Sequence, residues 1–471
     1  MERLLIAGQF VDGTLLLTAP PSSCIGSEGG LQAAPRLQRT LTLMDLLLYG
    51  IIAVSPVAAM AIFGVLSERG RGHVVTAILI AMVAMLLTGI SYGRMARAYP
   101  SAGSAFSYVA QEIHPSLGYI TGWGMLMDYT LAPLISSIWS AEQSHAFVPS
   151  VPIVAWKVFY AAVFTWLNIQ AIRSSARFNS TMAAAMGAVV AVVVVATVHF
   201  IVGQPHSDPG FFTRPFYDPR TFSYGALFGC TSIAVLSYIG FDGITTLSEE
   251  AVNPRRNILL ATVLTCLVIG ALSSVEVYVA QLVWPAGERF PDVDTAYVWV
   301  AARAWKPLFT VVGLTLMLSN VAAGVATHLG AARLLYGMGR SNALPQRFFG
   351  SVDPKHHVPR NNVILIGAIV LTGSLFVSYA LGAEILNFGA LIAFMGVNAA
   401  AFLRYFVRAP KKKLRNFVPP VLGFFICLAL WWNLSEPAKL LGSFWMAVGV
   451  ALGIWKTRGF RTSLSFEVPE D

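Results

Sequence analysis

Charge is what this chain of 471 residues has least of. Asp, Glu, Lys and Arg make up 12% of it, against 56% apolar residues and a mean hydropathy of +0.66. That leaves too little polar surface to coat a soluble globule of this length, and it assigns the chain to the bilayer. Cysteine is scarce as well: of four, Cys230, Cys266 and Cys427 fall in apolar runs and Cys24 in the N-terminal stretch. No disulfide or zinc spacing results. The H-E-x-x-H signature, a nucleotide-binding motif and a pore-filter motif are also missing. These absences remove support for metal and redox chemistry, for a catalytic constellation, for ATP drive and for a channel. The expectation is no metal, no cofactor and no enzyme. Runs such as "AAAMGAVVAVVVVATV" lack the alternation of a membrane barrel strand, so the spans are helical.

Long apolar runs are what the chain has in quantity. A spanning helix needs roughly 20 apolar residues, and about twelve such runs occur. They lie near 43–66, 74–97, 117–145, 153–172, 179–203, 224–248, 257–284, 308–336, 361–381, 385–407, 417–434 and 440–456. The loops at 204–223 and 285–305 leave room for a brief helix at most. This predicts an all-α membrane domain over 39–456, preceded by a cytoplasmic, disordered tail at 1–38 and followed by a cytoplasmic tail at 457–471. The tail patch "GTLLLTAP" is too short, and lacks the basic flank, for a secretory signal. A mobile extension or a start codon placed too early accounts for it.

Basic residues orient the spans. With a cytoplasmic N-terminus, the inner loops hold 23 of the 32 Lys and Arg and the outer loops nine. This asymmetry follows the positive-inside rule, and an even number of spans puts both termini in the cytoplasm. The net charge of +9 is therefore a topological signal. Lys411–Lys413 directly follow an apolar run and suit anionic lipid head groups rather than nucleic acid.

Two interruptions stand out. In "SYIGFDGITTLSEE", residues 237–250, Gly240 and Gly243 flank Phe241 and Asp242 near the end of the sixth run. Glycine in a helix interior costs about 1 kcal/mol relative to alanine and permits non-helical angles. In the first run, "YGIIAVSPVAAMAIFG" puts Pro56 at mid-membrane, removing the donor to the carbonyl of Ile52. Either feature alone has a plain structural reading, a kink or a packing patch. Two breaks at matching places, one in the first run and one in the sixth, are what two five-helix inverted repeats would give. Irregular backbone survives in a bilayer only where it is packed in protein or lines a polar cavity, so the pair implies a site.

Asp242 is the first candidate for an ammonium contact or proton coupling, because a carboxylate there needs a proton, a cation or an amine beside it. Asp128 in the third run and Glu276 in the seventh are rivals, and each could instead be held protonated in a packed interface. His328 in the eighth run could relay protons or could be a hydrogen-bonded structural histidine. Glu249 and Glu250, with Arg255 and Arg256 following, suit a gate or an ordinary solvated cluster.

At these residues the chain resembles a known group. "SYIGFDGITTLSEEAVNPRRNI" resembles the sixth-helix signature of the amino acid-polyamine-organocation superfamily, and "YPSAGSAFSYV" its segment after helix two. "ARLLYGMGRSNALP" is similar to its eighth-helix ending, and "LNFGALIAFMGVNAAAFLRYF" extends the match, which runs over about 39–456. "GFDGITTLSEE" and "GWGMLMDY" look most like the putrescine-importer branch of bacterial permeases. The resemblance implies a LeuT-like fold of two inverted five-helix repeats, with discontinuous helices one and six, plus two peripheral helices. It also implies alternating access in the cell membrane, commonly with proton coupling or exchange. Carried onto this chain, substrate contacts fall at Val54, Ser55, Pro56 and Val57, and at Tyr238, Ile239, Gly240, Phe241 and Asp242. The chain departs from many relatives in two places. The first break reads "AVSPVA" rather than a glycine-rich run that would hold a substrate carboxylate, and this favours an amine. The lysine that several relatives carry in helix five is absent, with Met186 at the nearest matching position.

The function expected is a secondary transporter for amino acids or polyamines such as putrescine, coupled to protons. An exchanger without proton drive and a non-transporting amine receptor are the alternatives. Partners are the small-molecule substrate, protons and membrane lipids.

Overall fold

The computed structural model describes residues 10–11, 14–15, 39–99, 104–170, 176–205, 208–248, 250–285, 287–340, 344–356 and 358–457. Contacts divide the chain into Met1–Gln38 and Arg39–Asp471. In the first unit, Phe10–Val11 and Thr14–Leu15 pair as two short antiparallel strands. The rest of the expected 1–38 tail, and the 457–471 tail beyond its first residue, lie outside the described residues.

The second unit is helical. A capping box starts α1 (Leu43–Val54): the Asp45 amide donates to Thr42 Oγ1 at 3.4 Å while the Asp45 carboxylate accepts from the Thr42 amide at 2.9 Å. Pro56 cannot continue the ladder, and α2 (Ala58–Gly70) resumes with a bend of 41°. Then come α3 (Val74–Ala98), the short α4 (Ser104–Glu112) and α5 (Pro115–Phe147), whose first turn has proline where no amide is needed. Next are α6 (Ile153–Ile169), α7 (Ala176–Val202) and α8 (Tyr224–Ala234), the last running through a 3-10 turn at Val235–Tyr238 to α9 (Gly243–Thr246). Asn253, left-handed at φ 50°, and Pro254 open α10 (Pro254–Val283). The chain continues with α11 (Ala296–Ala304), α12 (Leu308–Arg340), α13 (Gln346–Phe349) and α14 (Arg360–Phe376). It ends with α15 (Tyr379–Phe402) and its π-helical extension Leu403–Val407, α16 (Leu414–Trp432) and α17 (Glu436–Thr457).

Among the described residues, eight helices are long and apolar enough to cross a membrane, or nine with α1 and α2 as one broken span. The protein is therefore a multi-pass membrane protein. Two shorter apolar helices, α6 and α14, accompany them, as does α5, 33 residues long and carrying Asp128 and Glu142.

The apolar runs anticipate these helices closely except at two places. The run at 361–381 ends early, at Phe376, because Ser378 caps the next helix, its Oγ accepting from the Leu381 amide at 3.3 Å. Hydropathy alone could not mark a cap between two apolar segments. Helix α4 was not anticipated, since nine residues fall below the length of a span.

Packing pairs the helices in a regular way. α3 lies along α10, α5 along α12, and α6 along α14, while α5 also packs on α15. At the α5–α15 crossing a Cβ on Gly124 would stand 3.2 Å from the carbonyl oxygen of Gly389, so the backbones approach closely. Trp139 of α5 is fully buried and donates to the Ala61 carbonyl of α2 at 3.0 Å. Large apolar side chains such as Val195, Phe444 and Trp455 face outward, as a lipid-bathed surface requires.

Candidate functional site

The first break is built by proline. The Ser55 amide makes the last bond of α1, to the Ile51 carbonyl at 3.0 Å, and Ser55 then turns to φ 73°, ψ 125°. Val54, Pro56 and Val57 have buried side chains. The second break is built by glycine: Ile239 is extended and Gly240 sits at φ 117°, where any other residue is strained.

The two breaks touch. A Cβ on Gly240 would lie 2.9 Å from the Ala53 carbonyl oxygen and 3.3 Å from the Val54 amide nitrogen. Only glycine lets the sixth span come this close to the first, so each interruption packs on the other. Ser55 Oγ lies 3.1 Å from Ser319 Oγ of α12 and 3.8 Å from Met186 Sδ of α7. The side chain that α7 presents to the first break is thus a thioether and supplies no charge.

Beside this junction, the Asp242 carboxylate stands among the backbone amides of the loop at Gly240, Asp242 and Gly243. Asp128 of α5 interacts electrostatically with Asp242, and so do Tyr49 of α1, Tyr92 of α3 and Tyr129 of α5. Both carboxylates are half-buried and keep accessible surface. Phe241 is buried, with its ring 5.6 Å from Tyr92 and 5.4 Å from Phe394. The fully buried Tyr92 hydroxyl has no hydrogen-bond partner among the described residues.

The other candidates lie elsewhere or act differently. Tyr238 commits its hydroxyl to the Ile78 carbonyl of α3 at 3.0 Å, so it can offer the junction only its backbone. Glu276 is completely buried in α10 without a side-chain partner among the described residues; its own carbonyl accepts from Tyr297 Oη of α11 at 3.2 Å. No interaction joins it to Asp242 or Asp128 among the described residues. His328 is buried and bonds the Val363 carbonyl of α14 through Nε2 at 2.9 Å, a tie between α12 and α14. A carbonyl can only accept, so Nε2 carries the proton. Glu249 lies outside the described residues. Glu250 acts through its carbonyl, which accepts from the Thr40 and Leu41 amides at 2.9 and 3.0 Å and holds the lead-in to α1 against the connection to α10.

The sequence profile of the family described as "Amino acid permease" matches residues 47–456, nearly the whole helical unit. The chain belongs to the amino acid permease family. Among curated relatives, the low-affinity putrescine importer PlaP of Escherichia coli K12 is 34% identical over 436 residues, covering 90% of this chain and 95% of that one. The branched-chain amino acid permease BcaP of Lactococcus lactis is 28% identical, covering 88% and 93%. The methylthioribose transporter of Bacillus subtilis is 26% identical, covering 88% and 92%. This permease is accordingly a transporter, not an enzyme, and the paired breaks are the part of it where backbone polar groups lie beside two half-buried carboxylates. Sequence reasoning missed Tyr49, Tyr92, Tyr129 and Ser319 at this junction. A hydroxyl in an otherwise apolar span, as in "MLSN" at 317–320, was the available signal for Ser319.

Proposed function

We propose that this permease is a secondary active importer of amines of the putrescine class, working by alternating access with proton coupling. The observation that carries the proposal is the junction itself: Gly240 packs on Ala53, and Asp242 and Asp128 sit beside it as electrostatic neighbours. Two carboxylates sharing one buried site repel each other, and one must take a proton unless cations offset both. A diamine brings two ammonium groups and answers both charges. Exposed carbonyls at the breaks and the faces of Tyr49 and Tyr129 add acceptors for an ammonium. An α-amino acid would bring a third carboxylate to the same place, with no glycine-rich run at the first break to receive it. The likeness to a putrescine importer supports the same choice.

In this reading Val54, Ser55, Pro56 and Val57, with Tyr238, Ile239, Gly240, Phe241 and Asp242, line the substrate site. Asp128 is the second amine contact or proton carrier, and Glu276 and His328 stand outside the site. The nine spans, with α5, α6 and α14, make twelve crossings in the cell membrane, and both termini face the cytoplasm. The pairings α3 with α10, α5 with α12 and α6 with α14 each join helices five crossings apart, which supports an inverted repeat.

The test is uptake of labelled putrescine and of an amino acid panel into proteoliposomes, with and without an inward proton gradient. Gradient-dependent putrescine uptake that disappears in Asp242→Asn and falls at least tenfold in Asp128→Asn is expected, since losing one buried charged partner costs ~2–5 kcal/mol. Uptake of amino acids alone would sink the diamine assignment, and undiminished transport by Asp242→Asn would remove that residue from the site.

A further inference from the structure

A second charged cluster lies at the other end of α15 from its cap. Glu112, the last residue of α4, has a side chain only 2% exposed. Its Oε1 accepts from Tyr99 Oη at 2.6 Å and from Arg404 Nη1, and its Oε2 accepts from Arg408 Nη1 at 2.7 Å. The Arg404 guanidinium also stacks over the Tyr99 ring at 4.8 Å. One buried carboxylate thus gathers donors from the end of α3 and from the end of α15. The backbone there is irregular: the Arg408 amide bonds the Leu403 carbonyl, five residues back, at 2.9 Å. π-helical turns of this kind frequently mark functional positions.

The other end of α4 reaches the substrate site, with Ser104 and Tyr108 four residues apart on the same side of the helix as Glu112. Ser104 Oγ is 3.0 Å from Thr245 Oγ1 on α9, the half-helix that follows Asp242. The Tyr108 ring stands 6.3 Å from Tyr92, which in turn packs edge-on against Phe241. Helix α4 is therefore fastened at Glu112 to the end of α15, and it meets α9 through Ser104 and α3 through Tyr108. Burial pushes the Glu112 carboxyl up, but the Tyr99 hydroxyl and the two guanidiniums outweigh it and hold it below the usual glutamate range. It stays charged at neutral pH, and separation of the partners requires movement rather than protonation.

We propose that Glu112, Tyr99, Arg404 and Arg408 form a latch that holds α4 over α9, and that its release is a step in opening the substrate site on the side of α4. These are positioning residues: they touch no substrate and act through α4. The inference rests on alternating access and not on the identity of the substrate.

The test uses the full chain with Cys24→Ser and Thr246→Cys, a half-buried position on α9. An impermeant maleimide is applied to right-side-out and to inside-out vesicles. On the α4 side, Glu112→Gln and Arg404→Gln should label at least about fivefold faster than the parent, the low end of a coupling between sites. Labelling from the opposite side should not rise, and Arg404→Lys, which keeps the charge, should return most of the way to the parent rate. Should Glu112→Gln fail to fold, Arg408→Gln, whose side chain is 57% exposed, gives the same comparison. Equal rates in the parent, Arg404→Gln and Arg408→Gln would overturn the latch, as would faster labelling on both sides, which is general loosening. If the rates change as expected while no variant and no parent takes up putrescine, the latch stands and the amine reading fails.

Discussion

At the scale of single residues, the site depends on one backbone angle. Gly240 at φ 117° both turns the sixth span and lets it rest on Ala53. Gly240→Ala forces an L residue into a sparsely populated region, about 1–3 kcal/mol, and sets its Cβ 2.9 Å from a carbonyl oxygen that cannot swing away. We expect a clear drop in thermal unfolding temperature together with loss of uptake. Gly243→Ala, where the nearest atom is the flexible Tyr49 hydroxyl at 3.3 Å, should unfold closer to the parent. A Gly240→Ala protein as stable and active as the parent would show that the junction is not what closes the site. Both breaks were legible in the sequence because proline and glycine announce backbone departures by their own chemistry. Tyr49, Tyr92 and Tyr129 were not, since an aromatic in an apolar run looks the same whether it faces lipid, core or ligand. Asp128 and Glu276 looked alike too, as carboxylates in apolar runs, and only the packing separates the one beside Asp242 from the one sealed under α11.

At the scale of elements, hydropathy located the long helices because a lipid-facing helix must stay apolar for its whole crossing. It could not locate α4, whose last residue is the Glu112 of the proposed latch, nor show that α11 would come down on α2. Phe63 of α2 meets Phe290 at 6.0 Å and Tyr297 at 5.6 Å, tying α2 to α11 and the loop before it. That loop also holds Asp294, whose carboxyl is pushed up to about 7 by burial first, then by Asp292 and Glu142, against a lowering contribution from Lys157. A carboxyl raised above its ordinary 3.8 favours the protonated form in the folded state. Its contribution to stability is complete below that ordinary value and is lost as pH rises through about 7. Between pH 4 and about 7, thermal stability should therefore decline more steeply in the parent than in Asp294→Asn. Parallel profiles would mean that Asp294 does not titrate in this interval.

At the scale of the whole molecule, the charge pattern and the helix pairing bear on one question, which side of the membrane the latch faces. The inner loops of the proposed orientation hold 23 basic residues, among them Arg404 and Arg408, which pair with Glu112, and the Lys411–Lys413 run that follows them in the chain. Positive charge resists translocation across the membrane during insertion, so the α4 side should be cytoplasmic and the Phe63–Tyr297 contact external. Twelve crossings would then bring the chain back to the side where it began. A reporter that fluoresces only in the cytoplasm, fused after Val407, should light up, and one fused within the loop between α10 and α11 should stay dark. Phosphatase fusions at the same two points should give the reverse pattern. If both reporters indicate an external Val407, the charge asymmetry has been overridden, the order of opening assigned to the latch is inverted, and the import direction of the proposed transport falls with it.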